Sequence, residues 1–123
     1  MSARLILPLR GTPGRLVKSL AALIGDPRAA VPMYPMLVVE GVISQPWSSA
    51  TFDGERHRID LRLHGSAAQI GEAIDRLIML LPDAEFDLPG QIVAEAKLVT
   101  LGVDPDPCVV AATATIEFVT VID

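Results

Sequence analysis

A chain of 123 residues is long enough for one domain with a modest core. With 50% hydrophobic and 20% charged residues it reads as a globular, soluble protein and not a disordered one, and with 4% aromatics it lacks the stacking platforms that single-stranded nucleic acid needs. The net charge of −5 is split: residues 1–28 carry +4, through Arg4, Arg10, Arg15, Lys18 and Arg28 against Asp26 alone, while the remainder holds 5 basic and 14 acidic side chains.

No apolar run approaches the roughly 20 residues that a bilayer span requires. Met1–Arg10 has too short an apolar stretch for a signal peptide and no small-residue cleavage site. The single cysteine, Cys108, excludes an internal disulfide and a cysteine-based zinc site, and fits a reducing compartment such as a bacterial cytoplasm. There is no internal repeat and no low-complexity segment.

In chain order, residues 1–12 read as an N-terminal arm or short edge strand, with Leu5, Leu7 and Leu9 at alternate positions interrupted by Pro8. A single domain over residues 13–123 follows. Thr12 suits an N-cap and Pro13 the first helical position, where a missing N–H costs nothing. Leu16, Val17, Leu20, Leu23 and Ile24 recur at helical spacing, and Gly25 and Pro27 close the helix. Met36 to Ile43 reads as a strand, with Gly41 weakening it or marking a bulge. Ser44 to Arg56 reads as a long polar loop or hairpin tip, Asp53-Gly54 supplying a turn signal. In the next strand Ile59, Leu61 and Leu63 face one way and Arg58, Asp60, Arg62 and His64 the other.

Ser66 and Gln69 form a capping-box pattern. Ile70, Ala73, Ile74, Leu77, Ile78 and Leu81 then draw an apolar stripe, Glu72 and Arg76 sit in the favourable order for an ion pair, and Pro82 ends the helix. Asp83 to Gly90 is an acidic connector. Gln91 to Leu101 is a strand with Glu95 and Lys97 on one face, and Gly102 to Pro107 a turn. The last strand, Val109 to Ile122, places Val110, Ala112, Ala114, Ile116, Phe118 and Ile122 on one face and Thr113, Thr115 and Glu117 on the other. The order helix, strand, strand, helix, strand, strand predicts an α+β fold of two layers: a four-stranded, antiparallel or mixed sheet with both helices packed on one face.

Chemistry is sparse along this chain. Gly11-Thr12-Pro13-Gly14-Arg15 lacks the lysine ending and spacing of a phosphate loop, and no dinucleotide fingerprint is present. His57 and His64 fall on opposite faces of one strand, so they cannot share a metal from it. His64 and Asp60 lie about 13 Å apart along a strand, too far for a hydrogen bond. The loop acids Asp53, Glu55, Asp83, Glu85, Asp87, Asp104 and Asp106 match no calcium-loop pattern. Cys108 reads as a half-buried thiol. Trp47, the single tryptophan, is either a loop anchor or an interface contact. No catalytic, cofactor-binding or metal-binding residue emerges, and no enzyme is expected.

Several segments, taken in order, resemble the tail terminator family of long-tailed phages and gene transfer agents. They are Tyr34-Pro35 before Met36-Leu37-Val38-Val39, Pro46-Trp47, Asp53-Gly54-Glu55-Arg56-His57, Leu61-Arg62-Leu63-His64, Leu88-Pro89-Gly90-Gln91 and Ala114-Thr115-Ile116-Glu117-Phe118. The likeness covers roughly residues 15–122. It implies a homohexameric ring at the tail–head joint of a virion, made in the host cytoplasm, that caps the tail tube and stops its polymerisation. The expected partners are other copies of the chain, the tube protein and the head–tail connector or stopper protein; DNA passes through the lumen unread, and neither cofactor nor membrane is involved. Another neck, head-closure or tail-completion protein is the alternative within that class, and a small ligand-binding domain or enzyme the alternative outside it. A closed ring needs two different complementary patches per subunit. The expected subunit contacts are the basic residues Arg4, Arg10 and Arg15 against a neighbour's acidic loops, Trp47, and the strand face of Arg58, Asp60, Arg62 and His64.

Overall fold

The computed structural model describes residues 11–25, 36–103 and 111–122. Helix α1 (Gly11–Ile24) is followed by strands β1 (Met36–Ser48) and β2 (Asp53–His64). Helix α2 (Ala67–Leu80) runs into a single 3-10 turn (Leu81–Asp83), and strands β3 (Gln91–Val103) and β4 (Ala111–Ile122) complete the chain. The four strands form one antiparallel sheet in the order β1-β2-β4-β3. Helix α2 carries the chain across the sheet to the far edge, and β4 then fills the gap beside β2. Both helices lie on one face, giving the expected two-layer α+β architecture.

The core follows from the sequence periods. Leu16, Leu20 and Ile24 from α1 and Ile70, Ala73 and Leu77 from α2 meet Ile59, Leu61 and Leu63 of β2 and Ala112, Ala114, Ile116 and Phe118 of β4. Phe118 is fully buried and takes the ring of Phe86 edge-on, at 5.3 Å between centroids and 80° between planes. That contact and the buried Leu88 pin the acidic connector to the sheet; burying a side chain of this size contributes about 2 kcal/mol. Ser66 caps α2 as the sequence indicates: its hydroxyl accepts from the Gln69 N–H at 3.1 Å, and the Gln69 side chain accepts from the Ser66 N–H at 3.0 Å.

The structure corrects several expectations. Of the two readings of Ser44–Arg56 the hairpin tip holds and the long loop does not: β1 runs on to Ser48, β2 starts at Asp53, and the turn is short. It is closed by Ser49, whose N–H donates to the Phe52 carbonyl at 2.8 Å and whose hydroxyl accepts from the Phe52 N–H at 3.1 Å. Cross-strand pairing with β2 outweighs the polar composition that suggested a loop. Trp47 is therefore a strand residue opposite Gly54, not a loop anchor, and Asp53-Gly54 lies in β2, not in a turn. Thr12 sits within α1 and does not cap it; its hydroxyl accepts from the Gln91 side chain at 3.0 Å.

Arg76 does not turn to Glu72. Its guanidinium donates to the Leu23 carbonyl at 3.0 Å and to the Gly25 carbonyl at 3.3 Å, satisfying acceptors that the end of α1 leaves open. Ile78 and Ile122 are exposed rather than buried, Ile78 because the stripe of α2 turns past the sheet edge and Ile122 because it ends the last strand. Gly41 does mark a bulge, with Glu40 as the extra residue, and β3 carries two more, at Ala94 and Val99. The arm, Val110, Cys108, Asp104 and Asp106 lie outside the described residues.

Candidate functional site

The sheet face opposite the helices is built by strand alternation. Because Ile59, Leu61 and Leu63 point into the core, Arg58, Asp60, Arg62 and His64 must point out, joined by Arg56. Thr115 and Glu117 of β4 lie in register beside them, Thr115 opposite Asp60 and Glu117 opposite Arg58. On β1 the bulge resets the alternation, so Gly41, Ile43, Gln45 and Trp47 pair with Asp60, Arg58, Arg56 and Gly54.

These side chains are cross-linked by polar contacts. The Thr115 hydroxyl donates to Asp60 Oδ1 at 2.6 Å. Arg62 Nε donates to Glu40 Oε1 at 3.2 Å, which the bulge brings within reach, and Arg56 Nε lies 3.4 Å from Glu117 Oε1. Lys97 and Glu95 of β3 pair at 3.6 Å. Gly41 lies beside Asp60: a Cβ there would stand 3.4 Å from Asp60 Oδ2, an ordinary contact. Pairs this exposed contribute about 0–1 kcal/mol each, so their consequence is arrangement more than stability. Arg56, Arg58, Arg62 and Lys97 are balanced by Glu40, Asp60, Glu95 and Glu117. A face of mixed sign does not attract a phosphate backbone as a basic stripe does.

Two exposed apolar patches flank this arrangement on different layers. One runs along β1 to the hairpin end: Ile43, opposite Arg58, and Phe52 in the turn are more than half exposed, and Trp47, about 13 Å along the strand from Ile43, is half-buried. The other is the last turn of α2, where Ile78, Met79 and Leu80 are exposed, Met79 by 74%. Scattered single apolar residues are ordinary surface; grouped ones mark contact sites.

The expected contact residues divide accordingly. Arg58, Asp60, Arg62 and His64 share the open face, with Trp47 at its edge. Arg15 is exposed on α1, in the other layer, where it lines a hollow of about 290 Å³ with Lys18, Ser19, Ala22 and Asp87. Arg4 and Arg10 lie outside the described residues. Sequence reasoning missed Arg56, although strand alternation puts it on the same face as Arg58, and Glu40, whose position depends on the bulge.

It also missed a polar cluster on the inward face. His57 is 1% exposed. Its Nδ1 lies 2.7 Å from Ser44 Oγ and its Nε2 3.5 Å from Thr120 Oγ1, while the Thr120 hydroxyl donates to the Glu55 carbonyl at 3.4 Å. A hydroxyl, which can donate or accept, thus stands against each ring nitrogen, so either neutral tautomer is satisfied. Burial lowers the His57 pKa from its ordinary value of 6.5, and Glu55 partly opposes the shift. The ring is therefore a neutral, satisfied core histidine at neutral pH. Ser44 is exposed and stands mid-strand in β1.

Among the described residues no three His, Cys, Asp or Glu side chains are grouped to hold a metal ion, and no helix is long and apolar enough to cross a membrane. Comparison of the chain with protein-family models and with curated proteins gives no match.

Proposed function

We propose that this chain is a structural assembly protein of the tail terminator kind. Its copies close into a ring, for which six is the expected number, that caps a tail tube, halts addition of tube subunits and offers a second surface to the head–tail connector. The reading rests on the sequence resemblance and on one structural observation: two exposed apolar patches on different layers of one small subunit. A patch along β1 and a different one on α2 is what a head-to-tail contact uses, and head-to-tail contacts are the ones that close rings beyond two copies. The mixed charges between them favour register over bulk affinity, and the sign balance suits a lumen that DNA crosses unread.

Complementation tests this arrangement. Ile43→Asp removes one patch and Met79→Asp the other. Each variant alone should fail to oligomerise on tube protein, while a mixture of the two should give a dimer through the one intact pair of patches. Oligomers of normal size from both single variants would contradict the proposal.

A second reading is favoured by one observation, the 2.7 Å contact of Ser44 with His57, which has nucleophile–base spacing. A small hydrolase built on it would label at Ser44 with a fluorophosphonate probe and lose the label in Ser44→Ala. A chain that takes no label is not a hydrolase of this kind.

A further inference from the structure

Each apolar patch adjoins a charge left over from the pairing around it. On the open sheet face, Arg56 lies 3.4 Å from Glu117, Arg62 3.2 Å from Glu40 and Lys97 3.6 Å from Glu95. Arg58 stands directly opposite Glu117 in the β2–β4 register, but that carboxylate is taken by the diagonal Arg56. Among the described residues of this face, the exposed Arg58 is the arginine or lysine without a carboxylate. On its other side is its register partner on β1, Ile43, which is 57% exposed. Side chains directly opposed on neighbouring strands stand about 5 Å apart at Cβ.

The patch on α2 repeats this construction with the opposite sign. Asp75 is exposed, three residues before Ile78 and four before Met79, so it adjoins both at about 5–6 Å between Cβ atoms. Glu72 is exposed one turn earlier. The base of this helix, Arg76, is tied to the Leu23 and Gly25 carbonyls. Among the described residues neither Asp75 nor Glu72 has an ion-pair partner.

We propose that Arg58 of one copy pairs with Asp75 of the next while Ile43 packs on Ile78 and Met79, and that this ion pair sets the direction of the contact. The inference rests on the head-to-tail reading above and goes beyond it in naming the residues that meet. A second copy is the occupant because both patches set an apolar side chain and a spare charge about 5 Å apart, with opposite signs, so one docking joins both. The same signs forbid the alternatives. Sheet patch on sheet patch would oppose two guanidinium groups, and helix patch on helix patch two carboxylates; like charges brought together cost more than an exposed pair contributes. The contact is thereby head-to-tail only, as a ring beyond two copies requires.

Charge exchange on the purified full-length chain tests the pairing. Arg58→Glu puts two carboxylates into every contact of that variant, and Asp75→Arg two guanidinium groups. Each alone should self-associate about tenfold or more weakly than the wild type. An equal mixture restores an opposite pair wherever the two variants alternate. It should recover to within about threefold of the wild type, read by sedimentation equilibrium up to ~1 mM; recovery also shows that both variants are folded. A mixture no better associated than its components would overturn the pairing. A wild type that stays monomeric throughout would overturn it too, by assigning the patches to a different protein. Association that both charge variants leave unchanged but Met79→Asp abolishes would overturn the pairing and leave the head-to-tail contact standing. Association that Met79→Asp also leaves unchanged would overturn both.

Discussion

Gly54 lies directly against the backbone of Thr120: a Cβ added at Gly54 would stand 1.7 Å from the Thr120 carbonyl oxygen and 2.9 Å from the Cα of Val121. The obstacle is backbone, not the end of a flexible side chain, so β2 and β4 would have to separate. In sequence, Gly54 looks like half of a turn. In the fold it lies where β2 packs backbone to backbone against β4, with Trp47 beside it on β1.

Gly54→Ala is accordingly expected to destabilise the domain by about 2–4 kcal/mol, well above a typical surface substitution. Urea unfolding followed by circular dichroism measures it. A change below about 0.5 kcal/mol would show that the hairpin end adjusts freely and that the glycine answers to turn geometry after all.

Stability should fall in mild acid because of His57. Its folded pKa lies below the unfolded value near 6.5, so between those two values the unfolded chain binds more protons and stability rises with pH. The contribution is complete above about 6.5, declines as pH drops through that value toward the folded pKa, and levels off below it. Replacing the ring by Asn should flatten this slope relative to wild type, read as urea midpoints across pH 4–8. Parallel pH profiles for the two proteins would remove His57 as its source.

Arg76 joins the two helices. Arg76→Ala leaves the Leu23 and Gly25 carbonyls without this donor and should cost about 2 kcal/mol, the range for hydrogen bonds to a charged group. Glu72→Ala, four residues earlier, should change stability by less than about 0.5 kcal/mol. A reversed order of effects in thermal melts would restore the Glu72–Arg76 pair that spacing alone suggests.

Ser66→Ala removes the side-chain half of the capping box and should cost about 1 kcal/mol. Ser66→Asp, which keeps an acceptor and adds charge favourable to the helix N-terminus, should restore most of it. Equal losses in both variants would mean that the cap is not what starts α2.

The fold was legible wherever a period was long and unbroken. The alternation from His57 to His64 and the stripe from Ile70 to Leu77 determine which faces are buried, and the Ser66 capping box identified itself. Failures occurred where one residue's role depends on a distant strand. Gly54 reads as a turn because Thr120 is 66 positions away in sequence, and Ser44–Ser48 read as a loop because only pairing with β2 makes a polar stretch extended. Of the open face, Arg58, Asp60, Arg62 and His64 were visible from alternation alone. Glu40 was not, since a bulge shifts its register, and the Ser44–His57 contact joins two strands whose alignment no local pattern supplies.

The central claim is that this subunit acts through its surfaces, as a ring on the end of a tube. Electron microscopy of the tube protein polymerised with and without the purified chain tests it most directly, by measuring tube length and inspecting tube ends. The account predicts short tubes, each with a ring of added density at one end, and unlimited growth when Ile43→Asp or Met79→Asp is used instead. Tubes of undiminished length with bare ends in the presence of the wild-type chain would contradict it.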